Sequence, residues 1–408
     1  MNLERITKID REKIEQYCKE EVFLRILYVV VAGIIVAQTM EIDILISLLF
    51  HSMVLLTGAA WLCTLRKGIN KHDYLILGII VLAGINIVLN CFWMGGTLGF
   101  SYIKKYILFC TALLFFQTVN KTRISYMDIH FIYSLTDILT VWFIVMYILQ
   151  GQNRYLINGI VSNYLTFRFD NPNLISMFLL CLFMIQMSKL FTDKEKERRI
   201  HIVFALCLAF FIFKTASRNC ELVMAAYLVV YGWLWLTKKK QFYIPKFIAV
   251  GISVFPAIFF GLYMLLINSV FVQNVFGFMV GVGKDLDSRM KIWGPGWNGL
   301  KESPVIGAYY QISNGTGTGQ MHNTHLDIAA AYGVVVLVLV CVYLFLMLYQ
   351  NGRRYRRKQT FCFMIGWAAV ILLGMGEAAM YNGGLGIYLF MGTFLLLANS
   401  TGDIDEII

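Results

Sequence analysis

The chain has 408 residues, of which 59% are hydrophobic and 14% are charged, with a net charge of +11. A soluble domain averages about 25% charged residues, so this composition excludes a water-facing globular surface and indicates a chain embedded in a lipid bilayer. The apolar stretches are continuous and near span length, which excludes a β-barrel with its short alternating strands. The predicted fold class is all-α, a polytopic transmembrane helical bundle forming one integral membrane domain over residues 1–408.

The hydropathy pattern predicts about twelve spans, which follow a charged N-terminal segment, residues 1–21, without a cleavable signal. The expected spans are 22–38, 43–65, 74–93, 101–118, 130–149, 173–191, 200–213, 219–236, 247–267, 326–349, 361–379 and 383–398. Twelve spans would place both termini on the same side of the membrane.

Most of the 35 lysine and arginine residues lie in the N-terminal segment and in alternate loops, as at Arg66 and Lys67 or Arg353 and Arg354. The positive-inside rule makes this side cytoplasmic, and both termini with it. Loop topology therefore accounts for the net positive charge, and a nucleic-acid partner is not expected. Most cysteines fall inside apolar runs, where cysteine behaves as a small hydrophobic residue.

The outer loops are the long ones, and long loops usually carry function. One outer loop spans residues 150–173, and the other spans residues 268–323. The second contains Trp293 and Trp297, so we expect it to pack as re-entrant or short helical elements. Within it, only the segment NGTGTG at 314–319 has the composition of a flexible hinge.

Three arginines on the outer side, Arg168, Arg218 and Arg289, lie close to apolar runs. Each could reach the lipid headgroups or pair with Asp170 or Asp287. Because topology requires none of them, we favour an anion site, since guanidinium groups bind phosphate oxygens through paired donors.

The segment MHNTHLDIAAAYG places His322 and His325 at the end of the long outer loop. His322 could accept a proton from a hydroxyl group near neutral pH. A helix-capping role and a metal pair with His325 are the alternatives. Asp327 is the only nearby third ligand, whereas zinc sites use three or four, so no metal is expected.

Glu377 lies near the outer end of an apolar run and Asp137 lies within another. Acids at membrane depth are candidates for function. For both residues the alternative is a structural hydrogen bond to a neighbouring helix, and for Asp137 this alternative is favoured.

Together these motifs resemble the bacterial polysaccharide repeat-unit polymerases (Wzy-type) and the related O-antigen ligases. The chain matches their pattern of an arginine, a tryptophan four residues later, and a following proline and glycine, and their His-Asn pair with a later leucine and glycine. The Ser-Arg pair that opens a span and the Asn-Pro-Asn element before another span also fit. The matching residues are Asn171, Pro172, Asn173, Ser217, Arg218, Arg289, Trp293, Leu300, Pro304, Gly307, His322, Asn323, Leu326 and Gly333.

The resemblance implies a glycosyltransferase of the lipid-linked, GT-C-like type in the bacterial cytoplasmic membrane, with its active site facing outside. Its substrate would be an oligosaccharide repeat unit on a polyprenyl diphosphate, joined by block transfer into capsular polysaccharide, exopolysaccharide or O-antigen. His322, Arg289 and Arg218 are the expected catalytic residues. Those expected to bind substrate are Arg168, Asn323, Trp293, Lys291 and Glu377. No cofactor is expected.

Three other functions stay open. An O-antigen ligase would transfer the finished glycan to another acceptor. A transporter or flippase for an anionic lipid-linked substrate is possible, although the chain lacks visible internal repeats. A non-catalytic assembly factor is the third. Besides the bilayer and the lipid-linked glycan, a chain-length regulator and a flippase are the candidate partners.

Overall fold

The computed structural model describes residues 20–93, 100–150, 153–157, 160–169, 171–191, 195–238, 241–266, 286–308, 321–354, 358–377 and 387–401. Within these residues there are fourteen helices and one antiparallel hairpin. The elements are α1 (Glu20–Thr39), α2 (Asp43–Leu65), α3 (Lys71–Trp93), α4 (Phe100–Lys121), α5 (Tyr126–Gln150), β1 (Asn153–Ile157), β2 (Ile160–Tyr164), α6 (Pro172–Lys189), α7 (Glu195–Thr215), α8 (Arg218–Leu236), α9 (Lys246–Leu266), α10 (Leu286–Glu302), α11 (Thr324–Tyr332), α12 (Val334–Arg354), α13 (Lys358–Leu373) and α14 (Ile387–Thr401).

Each predicted apolar run overlaps a helix, and the predicted fold class is confirmed. Eight helices in the described part of the chain are long and apolar enough to cross a membrane: α1, α2, α3, α5, α6, α8, α9 and α12. Helices α13 and α14 are apolar but shorter. Helices α4 and α7 carry basic residues within or at the ends of their apolar stretches, including Lys105 and Lys214.

The core of the bundle is centred on α6. Asn171 caps this helix, because its side chain accepts a hydrogen bond from the backbone N–H of Asn173, and Pro172 occupies the first helical position. Every residue from Ile175 to Gln186 is buried, so α6 is surrounded by other helices. By contrast, α2 exposes Ile44 and Leu55 at 85% and 73%, as expected of a helix whose outer face contacts lipid.

The predicted single span at 326–349 is wrong, because Gly333 divides it into α11 and α12. Gly333 has a φ of +88°, and a Cβ atom there would lie 1.8 Å from the carbonyl oxygen of Val305. Only glycine fits this backbone conformation and this close approach. Backbone hydrogen bonds join the chain on both sides of Gly333 to the segment after α10. Val334 N–H donates to the Pro304 carbonyl and Ala308 N–H donates to the Ala330 carbonyl, both at 2.8 Å.

Two buried asparagines on α3 complete this helix break. Asn86 Nδ2 donates to the carbonyls of Val305 at 3.1 Å and Tyr332 at 2.6 Å. Asn90 Nδ2 donates to the carbonyl of Ile306 at 2.7 Å. Backbone carbonyls that a broken helix leaves unpaired are costly at membrane depth, so these side chains stabilise the break.

The loops at 150–173 and 268–323 both contain secondary structure, of which the strand pair in the first loop was not predicted. In the first loop, β1 and β2 form an antiparallel pair, in which Asn153 pairs with Tyr164 and Ile157 with Ile160. In the second loop, α10 is a helix of 17 residues. The N-terminal residues 1–19 and the predicted hinge at 314–319 lie outside the described residues.

Asp137 belongs to a polar network between α5, α6 and α7. Lys189 Nζ lies 2.6 Å from the Asp137 carboxylate, and Gln186 Nε2 donates to the same oxygen at 2.7 Å. His201 Nδ1 lies 2.8 Å from Gln186 Oε1. These contacts join neighbouring helices and are consistent with the structural role favoured for Asp137.

Candidate functional site

The candidate site is built around the first turn of α11. Asn323 caps this helix, because its side-chain Oδ1 accepts a hydrogen bond from Leu326 N–H at 2.9 Å. Its Nδ2 donates to the carbonyls of Pro256 and Met375, both at 3.0 Å. Asn323 is fully buried and joins α11, α9 and the turn after α13, so its side chain fixes the position of the neighbouring His322.

The turn after α13 presents Glu377 to the start of α11. Thr324 N–H donates to the Gly374 carbonyl at 2.8 Å, and Thr324 Oγ1 donates to the Glu377 carbonyl at 2.9 Å. A Cβ atom on Gly374 would lie 2.9 Å from Thr324 Oγ1, so glycine permits this close approach. The carboxylate of Glu377 is consequently held in the interior, with 1% of the residue exposed.

His322 and Asn173 both contact the Glu377 carboxylate. His322 Nδ1 lies 2.9 Å from Oε2, and Asn173 Nδ2 donates to Oε1 at 2.7 Å. A carboxylate that accepts from Nδ1–H leaves the other ring nitrogen, Nε2, with the lone pair of a base. His322 has a φ of +46°, an uncommon conformation for a non-glycine residue that often marks functional sites.

Arg218 lies at the first position of α8, beside the same turn. The next residue, Asn219, donates from Nδ2 to the Leu373 carbonyl at 2.8 Å. A Cβ atom on Gly376 would lie 3.0 Å from the Asn219 side chain, so α8 starts in contact with the segment that carries Glu377. The structure thus brings the start of α8, the start of α6 and the start of α11 together around Glu377.

Trp293 connects α10 to the candidate site. Its indole N–H donates to the Met321 carbonyl at 2.6 Å, and its ring packs edge-on against Tyr263 and Phe260. Trp293 is 3% exposed, and these contacts make it a support for the backbone that precedes His322. A direct contact of Trp293 with substrate stays a prediction.

Arg289 lies one helical turn before Trp293 on α10, at the spacing that puts two residues on one helix face. Lys291 is two positions after Arg289 and therefore belongs to a different face of the helix. Their predicted roles in catalysis and substrate binding stay predictions.

An ion pair between Asp327 and Lys105 also supports the backbone that precedes His322, and the sequence analysis did not predict it. Lys105 Nζ lies 2.8 Å from Asp327 Oδ1, and the same oxygen accepts from Met321 N–H at 3.1 Å. Both backbone groups of Met321 are therefore hydrogen-bonded. Its N–H donates to Asp327, and its carbonyl accepts from Trp293. This ion pair also explains a basic residue one turn inside α4, where topology does not require one.

Two of the candidate residues have partners away from Glu377. Arg168 Nη1 lies 3.2 Å from Glu41 Oε2, in an ion pair with both side chains substantially exposed. His325 is buried, and its Nε2 lies 2.8 Å from the Ser253 carbonyl, whereas His322 contacts Glu377. The two histidines thus have separate partners, and the expectation of no metal stays a prediction.

Residues 203–341 match the family model described as O-antigen ligase. The comparison with curated proteins gives no match. The matched segment includes Arg218, Arg289 and His322, whereas Asn173 and Glu377 lie outside it. The predicted resemblance is confirmed over this segment of a multi-pass membrane protein.

The structure also accounts for Gly307 and Gly333, the two glycines of the motifs that carry the resemblance. A Cβ atom on Gly307, which has a φ of +82°, would lie 2.7 Å from the Ala330 carbonyl oxygen. Gly307, Pro304 and Gly333 are therefore neighbours at the helix break. They hold the segment after α10 against α11, and so they act on the site through the backbone.

The sequence held partial signals for the residues that were missed. The Asn-Pro-Asn element marked the start of α6, but its spacing could not show that Asn173 contacts a residue 204 positions later. Asn219 follows Arg218 directly, and Asp327 was considered only as a metal ligand. Such long-range pairs become visible only when the helices are packed together.

Proposed function

We propose that this protein is a glycosyltransferase that joins polyprenyl-diphosphate-linked oligosaccharide repeat units on the outer face of the bacterial cytoplasmic membrane. The observation that carries the proposal is the Asn173–Glu377–His322 chain of hydrogen bonds. A buried carboxylate that orients an imidazole is the arrangement that general base catalysis needs. His322 lies within the segment that matches the O-antigen ligase family model, and this match supports the class of reaction.

In the proposed reaction, a hydroxyl group of the acceptor sugar attacks the anomeric carbon of the donor glycan. The new bond joins the acceptor oxygen to that carbon, while the bond from the carbon to the lipid diphosphate breaks. His322 Nε2 takes the hydroxyl proton, and Glu377 stabilises the resulting imidazolium. A single displacement of this kind inverts the anomeric configuration.

The leaving group is the polyprenyl diphosphate, which gains negative charge as the glycosidic bond breaks. Arg218, at the start of α8, and Arg289, on α10, are the residues proposed to stabilise that charge. The positive end of the α8 dipole adds to the effect of Arg218. Arginine donors can supply this stabilisation in place of a divalent metal ion.

A ligase is the second candidate, since the matching family model is described as O-antigen ligase and fits either activity. A ligase and a polymerase share the donor and the leaving group, and they differ in the acceptor. The same His322 base would then deprotonate a hydroxyl group of a different glycolipid. The acceptor must therefore be varied in the experiment that tests the function.

The test is a reconstituted assay with purified full-length protein in vesicles and a lipid-linked repeat unit. Products of several repeat units support the polymerase, and transfer to an added glycolipid acceptor supports the ligase. Translocation of the intact lipid without new glycosidic bonds would contradict both and support a transporter. His322→Ala protein is the matched control, since catalysis is expected to fail while substrate binding persists.

The proposed orientation has its own test. A reporter that is active only outside the cytoplasm is expected to be active when fused near Gly317 and inactive when fused near Arg354. The reverse pattern would place the candidate site on the cytoplasmic face and would contradict the proposed supply of substrate.

A further inference from the structure

Two serine hydroxyl groups near Glu377 are buried in the interface between α6 and α8. Ser217 immediately precedes Arg218 and is 1% exposed, and Ser176 lies in the second turn of α6 and is fully buried. Within the described part of the chain, neither Oγ atom has a hydrogen-bond partner. A buried hydroxyl group without a partner costs free energy, so both groups call for an explanation.

Ser217 does not make the hydrogen bond that a serine usually makes before a helix. A serine at this position commonly accepts a bond from a backbone N–H of the first turn. Ser217 makes no such bond to α8. Its own N–H donates to Thr215 Oγ1 at 3.3 Å, in a turn where Ala216 has a φ of +53°. The hydroxyl group of Ser217 is therefore left for another partner.

Ser176 also differs from other buried serines on the helices of this protein. The hydroxyl groups of Ser188, Ser253 and Ser400 each donate to the carbonyl four residues earlier, at 2.7 or 2.8 Å. The equivalent acceptor for Ser176 is the Pro172 carbonyl, and among the described residues this bond is not made. The Ser176 hydroxyl group is directed toward α8 instead.

The two hydroxyl groups meet at the thiol of Cys220, which is fully buried in the first turn of α8. The thiol is within reach of both serines and close enough to Glu377 to be affected by its charge. A thiol is a weak hydrogen-bonding group, so it satisfies neither hydroxyl group by itself. Asn173, which donates to Glu377, lies three residues before Ser176 and so shares its face of α6.

We propose that Ser176 and Ser217 bind one water molecule, which donates a hydrogen bond to the Glu377 carboxylate. Both serine hydroxyl groups donate to the oxygen of this water. Its two hydrogens point to Glu377 and to Cys220 Sγ, so the water has four partners, within the usual range for a buried water. Ser176 and Ser217 are then positioning residues for the carboxylate that orients His322, a role that rests on the proposed function.

The bound water adds a donor to a carboxylate that lies in the protein interior. Each donor to a buried carboxylate stabilises its charged form, and the charged form is the one that accepts from His322 Nδ1–H. The water is bound by hydroxyl groups on two chain segments, so it also fixes the start of α8 against α6 beside Glu377. In the Ser-Arg pair at 217–218, the serine thus acts on the base and the arginine on the leaving group.

The first experiment is an experimental structure of the full-length protein in which ordered waters are resolved. The proposal expects a water about 2.8 Å from both Ser176 Oγ and Ser217 Oγ, and its loss in Ser217→Val protein. Either hydroxyl group bonded to a backbone carbonyl, with no water between the two, would overturn the proposal. This result does not depend on activity, so it decides the water site even if the proposed function is wrong.

The second experiment compares Ser217→Thr with Ser217→Val, which have nearly the same shape and differ in the hydroxyl group. Ser217→Thr is expected to retain turnover. Ser217→Val is expected to lower kcat by roughly 10- to 100-fold with little change in KM, because it loses a hydrogen bond to a charged group. Ser176→Ala is expected to act like Ser217→Val. Ser188→Ala is the control on α6, since it removes a buried hydroxyl group that bonds to the Met184 carbonyl.

Equal kcat in Ser217→Thr and Ser217→Val would overturn the positioning role. A lower midpoint of thermal unfolding in Ser217→Val with unchanged kcat would show a structural role only, and overturns it as well. If neither Ser217 variant inserts into the membrane, Ser176→Ala and Ser188→Ala make the same comparison, and equal kcat in these two overturns the role. Loss of kcat confined to the variants without the Ser176 or Ser217 hydroxyl group supports it.

Discussion

Glu377 and Asp73 are buried carboxylates at opposite ends of the same bundle, and Glu377 contacts a histidine whereas Asp73 contacts a lysine. Asp73 accepts hydrogen bonds from Lys121 at 2.8 Å and Gln117 at 2.7 Å, so a lysine ammonium compensates its charge. Glu377 accepts from Asn173 and contacts His322. An ion pair fixes helices together, whereas an imidazole can also take up and release a proton. The comparison suggests that Asp73 serves stability and Glu377 serves chemistry.

The largest expected effect comes from breaking the Glu377 network. His322→Ala is expected to lower turnover per inserted molecule about 10²- to 10⁴-fold, the usual contribution of a general base. Glu377→Gln is expected to lower it about 10²-fold or more, because the new amide sets an N–H₂ group against Asn173 or His322. Turnover in the reconstituted assay, normalised to protein in the membrane, measures both.

The matched control is Asp73→Asn, the same chemical change at the other buried carboxylate. It removes the ion pair of Lys121 and is expected to cost roughly 3–5 kcal/mol of stability, seen as lower abundance, with turnover per folded molecule retained. Loss of turnover in Asp73→Asn equal to that in Glu377→Gln would remove the distinction between the two sites. His325→Ala is expected to act like Asp73→Asn, since His325 contacts the backbone of α9.

Arginines near the two ends of the bundle allow a second comparison between the candidate site and the opposite end. Arg218→Lys and Arg289→Lys keep the charge but lose the planar pair of donors, so each is expected to lower turnover by about 10². Arg353→Lys is the control at the opposite end, where the guanidinium lies over the Tyr349 ring. Normal turnover in Arg218→Lys and Arg289→Lys would assign these arginines to the lipid headgroups.

The helix break at Gly333 predicts that alanine variants at two glycines differ in their free energy of unfolding. Gly333→Ala forces a side chain into a backbone conformation that favours glycine and against the Val305 carbonyl, at a cost of roughly 3 kcal/mol or more. Gly58→Ala, where a Cβ atom would meet nothing within 4 Å, is expected to be neutral or slightly stabilising. Thermal unfolding of the two purified variants measures the difference, and equal midpoints would count against a rigid break.

The smallest expected effect is that of the Trp293 hydrogen bond. Trp293→Phe keeps an aromatic ring but removes the donor to the Met321 carbonyl, at a cost of about 1–3 kcal/mol, so turnover is expected to fall about tenfold. Trp297→Phe on the same helix is the control, since Trp297 contributes its ring to the contact with Phe260. If the two variants have equal turnover, the hydrogen bond of Trp293 does not position His322.

Hydropathy was sufficient to predict the bundle, because each span must satisfy its backbone within the membrane. It could not predict the break at Gly333, since the residues on both sides are equally apolar and the cause lies in the segment after α10. The β1–β2 pair was not predicted, although Asn158 and Gly159 between two short apolar runs are a sequence signal for a hairpin.

The sequence predicted individual residues of the candidate site but not the contacts between them. His322 and Glu377 were each candidates from residue type and position, but their contact joins residues 55 positions apart. Trp293 was expected to bind substrate as a member of the motif that carries the resemblance, whereas the structure buries its side chain against α9. The Lys105–Asp327 pair escaped notice because each residue had a different explanation when considered alone.

The asparagines on α3 constrain the order in which the helices can assemble while the protein is being synthesised. Asn86 and Asn90 bond to carbonyls that lie 216 to 246 residues later in the chain. At about 5–20 residues per second, the ribosome needs roughly 10–50 s to make those acceptors. During this interval α3 is already long enough to enter the bilayer, yet its amides still lack their native acceptors. Correct assembly therefore depends on keeping α3 accessible until α11 and α12 have been made.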